Sequence, residues 1–190
     1  MKGIETVLAV ALWLAAAPAF AGKLVNGSFE TDFGSRENMN VWGEYGDAWG
    51  EAYQVTAGQG HHPAKARSGE RVLLINVPPN TWDGAWQQVA WAENAPFSWT
   101  ANYLIQGGNL PDSCAAFMKV EFYDGNDNLI EVKEGDRHRA DTRGQWVHDS
   151  LSGTTPAGTA AIRFILIAGN NTESATVADR IYWDDADTED

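Results

Sequence analysis

Short runs of alternating apolar and polar residues constrain this chain more than any other feature. The clearest run, 97–106, alternates aromatic or aliphatic residues with Ser, Thr and Asn, and 116–124 repeats the pattern. Successive side chains of a strand point to opposite faces, so each run predicts a strand with one buried face. No helical periodicity persists after residue 21. Roughly eight to ten short strands separated by Gly, Pro and Asn turns predict an all-β sandwich or barrel.

The alternation also assigns the faces of these strands. In the run 97–106 the side of Trp99 is the apolar one, and in 116–124 it is the side of Phe122. We therefore expect Trp99 and Phe122 in the core, together with Trp183 in the last strand. The predicted strands are 51–56, 71–77, 84–91, 97–106, 116–124, 129–133, 146–152, 161–168 and 178–186.

The first 21 residues have the pattern of a secretory signal peptide. A positive Lys2 precedes the apolar run Val7–Ala17, and Ala19-Phe20-Ala21 is an A-x-A cleavage sequence. The apolar run is too short to span a bilayer, which takes roughly 20 residues. We expect a secreted or periplasmic protein with no membrane span, in which residues 22–190 form one domain.

Charge and cysteine content limit the partners and the means of stabilisation. The chain has 13 basic and 26 acidic residues and a net charge of −13. That charge disfavours nucleic acid, anionic membranes and strongly anionic polysaccharides. Cys114 is the only cysteine, so no intrachain disulfide can form, and we interpret it as a small buried apolar residue. The domain must depend on its core or on a metal.

Aromatic residues are the main candidates for ligand contacts. Eight of the nine tryptophans follow the signal sequence. Sugars present C–H faces that stack on aromatic rings and hydroxyls that bond to polar side chains, although a core role is at least as common for a single Trp. The candidate binding residues, in predicted loops or at solvent-facing strand positions, are Trp49, Tyr53, Trp82, Trp86, Gln88, Trp91, Asn102, Tyr123 and Arg163.

The acidic residues carry no dense catalytic signature. Glu121 and Asp124 lie near one strand end, but glycosidases need two carboxylates at a defined separation, which this pair does not indicate. Tyr123 with Lys119 could serve a lyase, again without a supporting motif. His61, His62 and His138 lack the spacing of metal ligands and are interpreted as solvated loop residues. We predict no catalytic residue.

A series of short motifs resembles the secreted jelly-roll carbohydrate-binding modules of the galactose-binding-like superfamily, with families 4/9, 16 and 22 the nearest. The resemblance covers nearly all of residues 23–187 and implies a jelly-roll β-sandwich of two antiparallel sheets. The motifs, in order, are Leu24-Val25-Asn26-Gly27-Ser28-Phe29-Glu30, Trp42, Ala66-Arg67-Ser68-Gly69, Gly84-Ala85-Trp86-Gln87-Gln88-Val89, Val120-Glu121-Phe122-Tyr123-Asp124-Gly125-Asn126, Trp146, Thr155-Pro156-Ala157-Gly158-Thr159, Ile162-Arg163 and Ile181-Tyr182-Trp183-Asp184-Asp185-Ala186.

The resemblance also implies a structural calcium that joins the two ends of the domain. Calcium takes six to eight hard oxygen ligands, mainly carboxylates and carbonyls. The alternative is that Glu30 and Asp185 are only solvated or bonded to backbone amides. The implied ligands are the carboxylates of Glu30 and Asp185 and backbone carbonyls around Asn26, Ser28, Gly69 and Arg71.

These observations predict a secreted, monomeric, non-catalytic protein that binds a neutral poly- or oligosaccharide through one sheet face. One alternative is a small lyase or glycoside hydrolase on the same fold. Another is a cell-surface or matrix module that binds proteins through its aromatic surface. Whether the concave face or the loop tips bind is left open by the sequence.

Overall fold

The computed structural model describes residues 23–31, 34–35, 38–39, 42–46, 51–58, 65–76, 81–106, 115–170 and 180–189. Among the predicted features, the signal sequence, Trp49, His61, His62 and Cys114 lie outside these residues. The strands of the described segments are β1 (Gly34–Ser35), β2 (Asn38–Met39), β3 (Gly43–Gly46), β4 (Glu51–Thr56), β5 (Arg71–Asn76), β6 (Thr81–Ala90), β7 (Pro96–Gln106), β8 (Ala115–Tyr123), β9 (Leu129–Glu134), β10 (Val147–Thr154), β11 (Ala161–Asn170) and β12 (Arg180–Glu189).

Ten of these strands form two five-stranded antiparallel sheets. Sheet 1 has the order β10-β7-β12-β5-β4, and sheet 2 has the order β3-β6-β11-β8-β9. Strands β1 and β2 form a separate small pair. The predicted jelly-roll β-sandwich of two antiparallel sheets is confirmed. No helix that could cross a membrane occurs in the described segments.

The core lies between the two sheets and follows the alternation read from the sequence. Trp99, Phe122 and Trp183 are buried there, as predicted. In β8 the even-numbered residues from Ala116 to Phe122 face the core, and the odd-numbered residues face outward. The period-2 pattern of the sequence therefore predicted correctly which side chains of the long strands are buried.

The outer face of sheet 1 is covered by other parts of the chain. Leu74, Leu104 and Tyr182 form a second apolar cluster there, and Ala66 and Trp146 pack against it. The indole N–H of Trp146 donates to the Lys65 carbonyl oxygen at 3.0 Å, which ties the 65–70 turn over this face. Sheet 1 thus presents little open surface in this region.

The N-terminal segment docks against the last strand. Ala186 N–H donates to the Gly27 carbonyl at 2.9 Å. A Cβ atom at position 27 would lie only 1.7 Å from the Ala186 carbonyl oxygen, so only glycine fits. Phe29 is fully buried beside Trp42, with ring centroids 5.3 Å apart. The first described segment is therefore part of the folded domain.

The sequence predicted that His138 is a solvated loop residue, and this prediction is wrong. Its ring stacks on Tyr103 at 4.4 Å, and its Nε2 lies 2.9 Å from Asp149 Oδ2. The backbone of His138 also bridges to Ala116. Since Ala116 belongs to sheet 2 and Tyr103 and Asp149 to sheet 1, this residue ties the two sheets together. The sequence hid this role because the contacts are distant along the chain.

Candidate functional site

The outer face of sheet 2 carries the candidate site. Trp82 and Trp86 lie four residues apart on β6 and point to the same face, roughly 13 Å from each other along the strand. With Tyr45 they pack over a small buried apolar cluster that includes Phe117 and Ile167. Both indoles are half-buried, so each ring is supported from below and reaches solvent. The result is an aromatic surface on an ordered sheet.

Two glycines allow the indoles to lie flat on the neighbouring strands. Trp86 is directly opposite Gly43 of β3, and Trp82 is directly opposite Gly169 of β11. A Cβ atom at Gly43 would come within 2.4 Å of the Trp86 ring, and one at Gly169 within 2.0 Å of the Trp82 ring. Each ring thus occupies the space that a side chain on the adjacent strand would fill. Aromatic residues commonly stabilise a cross-strand glycine in this way.

A hydrogen-bonded polar network borders the aromatic residues. Glu121 is its centre: Oε1 accepts from Tyr45 at 3.2 Å, and Oε2 accepts from Tyr123 at 2.6 Å. Lys119 Nζ lies 2.7 Å from Glu121 Oε1 and donates to the Tyr45 hydroxyl at 2.5 Å. Both carboxylate oxygens therefore have partners, as a buried charge requires.

The network holds its members in fixed charge states. Burial alone would raise the pKa of Glu121, but hydrogen bonds from Lys119 and Tyr123 hold it below the usual value. Burial would likewise lower the pKa of Lys119, whereas its bonds to Glu121 and Tyr45 raise it. Burial and the bond to Glu121 raise the pKa of Tyr123 to about 12. At neutral pH the site contains a carboxylate, an ammonium and a neutral phenol.

Arg163 extends the network towards Trp86. Its guanidinium carbon lies 4.3 Å from the Trp86 ring centroid and 4.5 Å from that of Tyr123. Its Nη1 donates to the Tyr123 hydroxyl at 2.9 Å, and its Nη2 donates to Gln88 Oε1 at 3.0 Å. Cation–π contacts and two hydrogen bonds together fix this long side chain.

Arg137 closes the other end of the face. Its guanidinium carbon lies 4.4 Å from the Phe117 ring centroid and 5.1 Å from that of Trp82, and Nη2 is 2.8 Å from Glu134 Oε2. A cleft of about 290 Å³ lies at this end of the face. It is lined by Tyr45, Trp82, Phe117, Lys119, Glu134, Arg137 and Ile167.

The structure brings together five of the nine candidate binding residues on this face and separates the others. The five that lie together are Trp82, Trp86, Gln88, Tyr123 and Arg163.

The other four candidates lie elsewhere. Trp91 was expected to face solvent, but it is 6% exposed and packs on Phe164 in the core. The alternation of β6 accounts for this, because Trp91 continues the inward-facing positions of Ala85 and Val89, opposite to the face of Trp82 and Trp86. Its indole N–H donates to the Pro96 carbonyl at 3.2 Å. Asn102 is buried in sheet 1, opposite Asp184. Tyr53 pairs with Leu74 in sheet 1, and Trp49 lies outside the described residues.

Three residues of this face, Tyr45, Phe117 and Arg137, were not predicted from the sequence. Lys119 and Glu121 were considered only for catalysis. The alternation of β8 already places Phe117, Lys119 and Glu121 on the face of Tyr123, so that signal was present. No local pattern indicates Tyr45 or Arg137, because strand pairing and the chain after β9 bring them to the site.

A second group of candidate residues lies where the chain ends meet. Glu30 Oε1 accepts from the backbone N–H groups of Glu70 at 3.0 Å and Arg71 at 2.8 Å. Gly69 has a φ of +58°, and a Cβ there would lie 2.3 Å from the Glu30 carboxylate. The turn is thus shaped around this carboxylate, which required a glycine with positive φ.

The carboxylate of Asp185 reaches the same turn from the last strand. Ser68 Oγ donates to Asp185 Oδ1 at 2.5 Å. Asp185 itself has a φ of 48°, at an irregularity in β12 between Asp184 and Asp187. The irregularity breaks the alternation of the strand at this point. Glu30 and Asp185 therefore contact successive parts of one turn, Gly69 and Ser68.

Asp184 is a fully buried carboxyl group behind this turn. Its Oδ2 accepts from the N–H groups of Arg67 at 2.8 Å and Ser68 at 3.1 Å. Burial raises its pKa to about 7, and the charge of Asp185 adds to the effect, while the backbone hydrogen bonds oppose it. The carboxyl group of Asp184 is therefore easier to protonate than that of an ordinary aspartate.

The remaining implied calcium ligands, Asn26 and Ser28, lie in the N-terminal segment. The Asn26 side chain closes on Thr31, accepting from its N–H at 2.9 Å, and the Asn26 carbonyl accepts from Phe29 N–H at 3.1 Å. Ser28 is half-buried in the same segment. Among the residues with described positions, no three His, Cys, Asp or Glu side chains gather as a metal cluster. The donor set still fits a hard cation if backbone carbonyls complete it, because one carboxylate from the N-terminal segment and one from β12 meet at a glycine turn.

Comparison with known proteins defines the class of fold. No protein-family model matches the sequence, and the curated proteins give no significant match. Solved structures match over most of the chain, and several are carbohydrate-binding modules. The resemblance inferred from the sequence is confirmed in the fold, which is the jelly-roll β-sandwich of those modules.

Three solved structures illustrate this likeness. The module TmCBM61, solved with β-1,4-galactotriose, is 18% identical with a TM-score of 0.56, over 87% of this chain and 96% of that one. A xylan-binding domain of family 22 is 18% identical with a TM-score of 0.54, over 89% and 95%. The enzymatically active domain of bacteriophage CBA120 tailspike protein 4 is 10% identical with a TM-score of 0.53, over 87% of this chain. The chain spans only 21% of that tailspike structure.

Proposed function

We propose that the outer face of sheet 2 binds a poly- or oligosaccharide. The observation that carries this proposal is the pair of half-buried indoles, Trp82 and Trp86, held flat on one sheet face beside fixed polar groups. Stacking on an apolar sugar face needs such a supported ring, and sugar hydroxyls need donors and acceptors of fixed orientation. The two indoles are far enough apart to contact different sugar units of one extended chain. The ligands named for TmCBM61 and the family 22 domain support the same class of ligand.

The charges of this face favour a neutral saccharide. Lys119 lies 2.7 Å and Arg163 lies 3.7 Å from Glu121, while Arg137 lies 2.8 Å from Glu134. Each cation of the site thus has a carboxylate beside it. A ligand carboxylate would have to compete with these pairs and with the negative charge of the whole protein. Neutral hydroxyls can instead add hydrogen bonds to groups that are already in place.

We also propose that the face binds without turnover. Glu121 is held ionised by Lys119 and has hydrogen bonds to both oxygens, so it suits neither a proton donor nor a nucleophile. The pKa of Tyr123, raised to about 12, makes its phenolate scarce at neutral pH, which disfavours a lyase base. The runner-up remains a small lyase or hydrolase, and release of reducing ends or unsaturated sugars would establish it.

A structural calcium and export are parts of the same proposal. The ion would be held by Glu30 and Asp185 with carbonyl oxygens near Asn26, Ser28, Gly69 and Arg71, and it would supply positive charge beside Asp184. We propose export on the signal pattern of residues 1–21, which places the protein where extracellular glycans occur.

The test is binding to neutral polysaccharides. Affinity gel electrophoresis with β-1,4-galactan, xylan, hydroxyethylcellulose and mixed-linkage β-glucan, with a glycan array beside it, should show retardation by at least one polymer. Trp82→Ala and Trp86→Ala should each weaken that binding at least about tenfold, because truncating an aromatic anchor at the centre of a contact is costly.

Trp146→Ala is the matched control. It removes the same side chain from the outer face of sheet 1 and should leave binding unchanged, with circular dichroism to verify the fold. Loss of binding in Trp146→Ala but not in Trp86→Ala would place the site on the other sheet. No binding and no turnover across the panel would overturn the proposal and favour a protein-binding module.

A further inference from the structure

Strand β9 is an edge strand with unusual apolar exposure. It lies at the end of sheet 2 and pairs on one side with β8. Leu129 is 53%, Ile130 39% and Val132 40% exposed, and these are three of the four exposed large apolar residues recorded among the described positions. Edge strands normally limit such exposure because a free edge is a template for further pairing. This edge therefore needs an explanation.

The hydrogen-bonding direction of β9 can be read from its pairing with β8. Gly135 N–H donates to the Met118 carbonyl at 2.8 Å, so the backbone groups of Gly135, and by alternation those of Lys133 and Glu131, point towards β8. The backbone groups of Val132 and Glu134 then point to the open edge. Any strand that adds here must bond to those two residues.

If the added strand is β9 of a second copy, only a few antiparallel registers are possible. Residues that bond to each other must both point to the open edge, which excludes pairing of odd-numbered with even-numbered positions. One allowed register places Glu131 opposite Glu131 of the second copy, and another places Lys133 opposite Lys133. Both registers bring like charges together. The register between them places Val132 opposite Val132. It then sets Glu131 opposite Lys133 twice.

We propose that two copies of this chain associate through antiparallel pairing of their β9 strands, with Val132 on the two-fold axis. The pairing would join the two copies of sheet 2 into one continuous ten-stranded sheet. The charges of β9 are complementary to those of a second β9 only in this register. This self-complementarity favours a second copy of the chain over a partner of unrelated sequence. A monomer was predicted from the sequence. The edge geometry instead indicates a weak dimer in equilibrium with it, because one strand pair buries little area.

Cysteine cross-linking tests the register directly. Val132→Cys should form a disulfide-linked dimer under mild oxidation, since hydrogen-bonded partners have Cα atoms about 5.5 Å apart, within the range of a disulfide. Ile130→Cys is the matched control on the same exposed strand. Its two copies would lie about 13 Å apart along the strands, too far to cross-link. Wild type, which has Cys114, sets the background.

A Val132→Cys dimer on a non-reducing gel, with Ile130→Cys at the wild-type level, supports the proposal. Equal cross-linking of both variants would indicate random collision or another register. Absence of a cross-linked dimer in Val132→Cys at high protein concentration would overturn the proposal.

Charge reversal provides a second, independent test. In Glu131→Lys both opposite-charge pairs become Lys–Lys pairs, and sedimentation equilibrium should show dimerisation weakened at least about fivefold. The double variant Glu131→Lys with Lys133→Glu restores both pairs and should restore the dimer. Lys133 donates to the Ser152 carbonyl at 2.7 Å, so Lys133→Glu alone reports any loss of folding. A double variant that folds but associates no better than Glu131→Lys would contradict this register.

Neither the cross-linking test nor the charge-reversal test involves a saccharide. The outcomes of both tests are therefore independent of the proposed glycan binding.

Discussion

At the scale of single residues, Glu121 is a clear case of a side chain whose burial strand alternation does not predict. The alternation of β8 predicts that it faces outward, and outward-facing glutamates are usually solvated. It is instead buried, because Tyr45 and Tyr123 cover it and Lys119 pairs with it. Strand alternation could predict its face but not its burial, since burial depends on the pairing of β3 with β6. Residue-scale prediction therefore failed where partners come from distant segments.

Glu121→Gln should lower the free energy of unfolding at pH 7 by about 2 kcal/mol, because it removes a charge-assisted hydrogen bond and leaves Lys119 without its counter-charge. The carboxyl has a pKa below its ordinary value of 4.5 in the folded protein, so its contribution is complete above that value. As pH falls below about 4.5, the unfolded chain takes up this proton before the folded protein does, so the contribution is lost progressively until the folded carboxyl is protonated as well. Thermal melts from pH 7 to pH 3 should show the difference between wild type and variant shrinking.

Asp136→Asn, at an exposed position after β9, is the control and should track wild type throughout. A constant difference between Glu121→Gln and wild type down to pH 3 would show that the carboxylate charge contributes nothing to stability.

At the scale of elements, the sequence predicted the long strands and their buried faces well. The predicted runs 97–106 and 116–124 became β7 and β8 with little change in bounds. Which strands pair could not be read from it, because pairing is non-local. The cross-strand pairs of Gly43 with Trp86 and Gly169 with Trp82 are results of pairing alone. The candidate site therefore depends on two glycines, because their lack of a side chain gives the indoles their space.

Gly43→Ala and Gly169→Ala should each weaken glycan binding about tenfold, because the new methyl group displaces the indole that lies over that position. The ring can rotate away, so we expect the fold to persist with only a modest loss of stability. Binding isotherms on the polysaccharide selected in the first screen would measure the effect.

Gly125→Ala is the corresponding control, because a Cβ there meets nothing within 4 Å. Unchanged affinity in both Gly43→Ala and Gly169→Ala would mean that the flat position of the indoles is not required for binding.

At the scale of the whole molecule, the first described segment and the last strand meet at one turn. Glu30 and Asp185 are far apart in sequence and contact Gly69 and Ser68. The family resemblance drew attention to these residues, whereas composition and periodicity alone did not. The hydrogen bonds from backbone amides, which were the alternative interpretation, are present at Glu30, whereas Asp185 accepts from the Ser68 hydroxyl.

Chelation with EDTA should lower the melting temperature by about 10 °C, because an ion bound only by the folded state adds roughly 4 kcal/mol at a thousandfold excess over its Kd. Terbium added to the chelated protein should show luminescence sensitised by the nearby Trp42. Glu30→Gln should abolish both the calcium-dependent shift and the luminescence.

Asp136→Asn again serves as the control, because it removes an exposed carboxylate that is not part of the turn. Equal melting temperatures of wild type in calcium and in EDTA would contradict the calcium proposal, whatever the stability of Glu30→Gln.

The cover on sheet 1 has a consequence for how such a protein would behave on a solid polymer. With the 65–70 turn and Trp146 over one side, a ligand finds only the opposite side of the sandwich in the described regions. A molecule with one adhesive side coats a fibre and cannot bridge two fibres. Pairing through β9 would widen that same side without creating a second one, so the protein should adsorb to a polysaccharide suspension without making it clump.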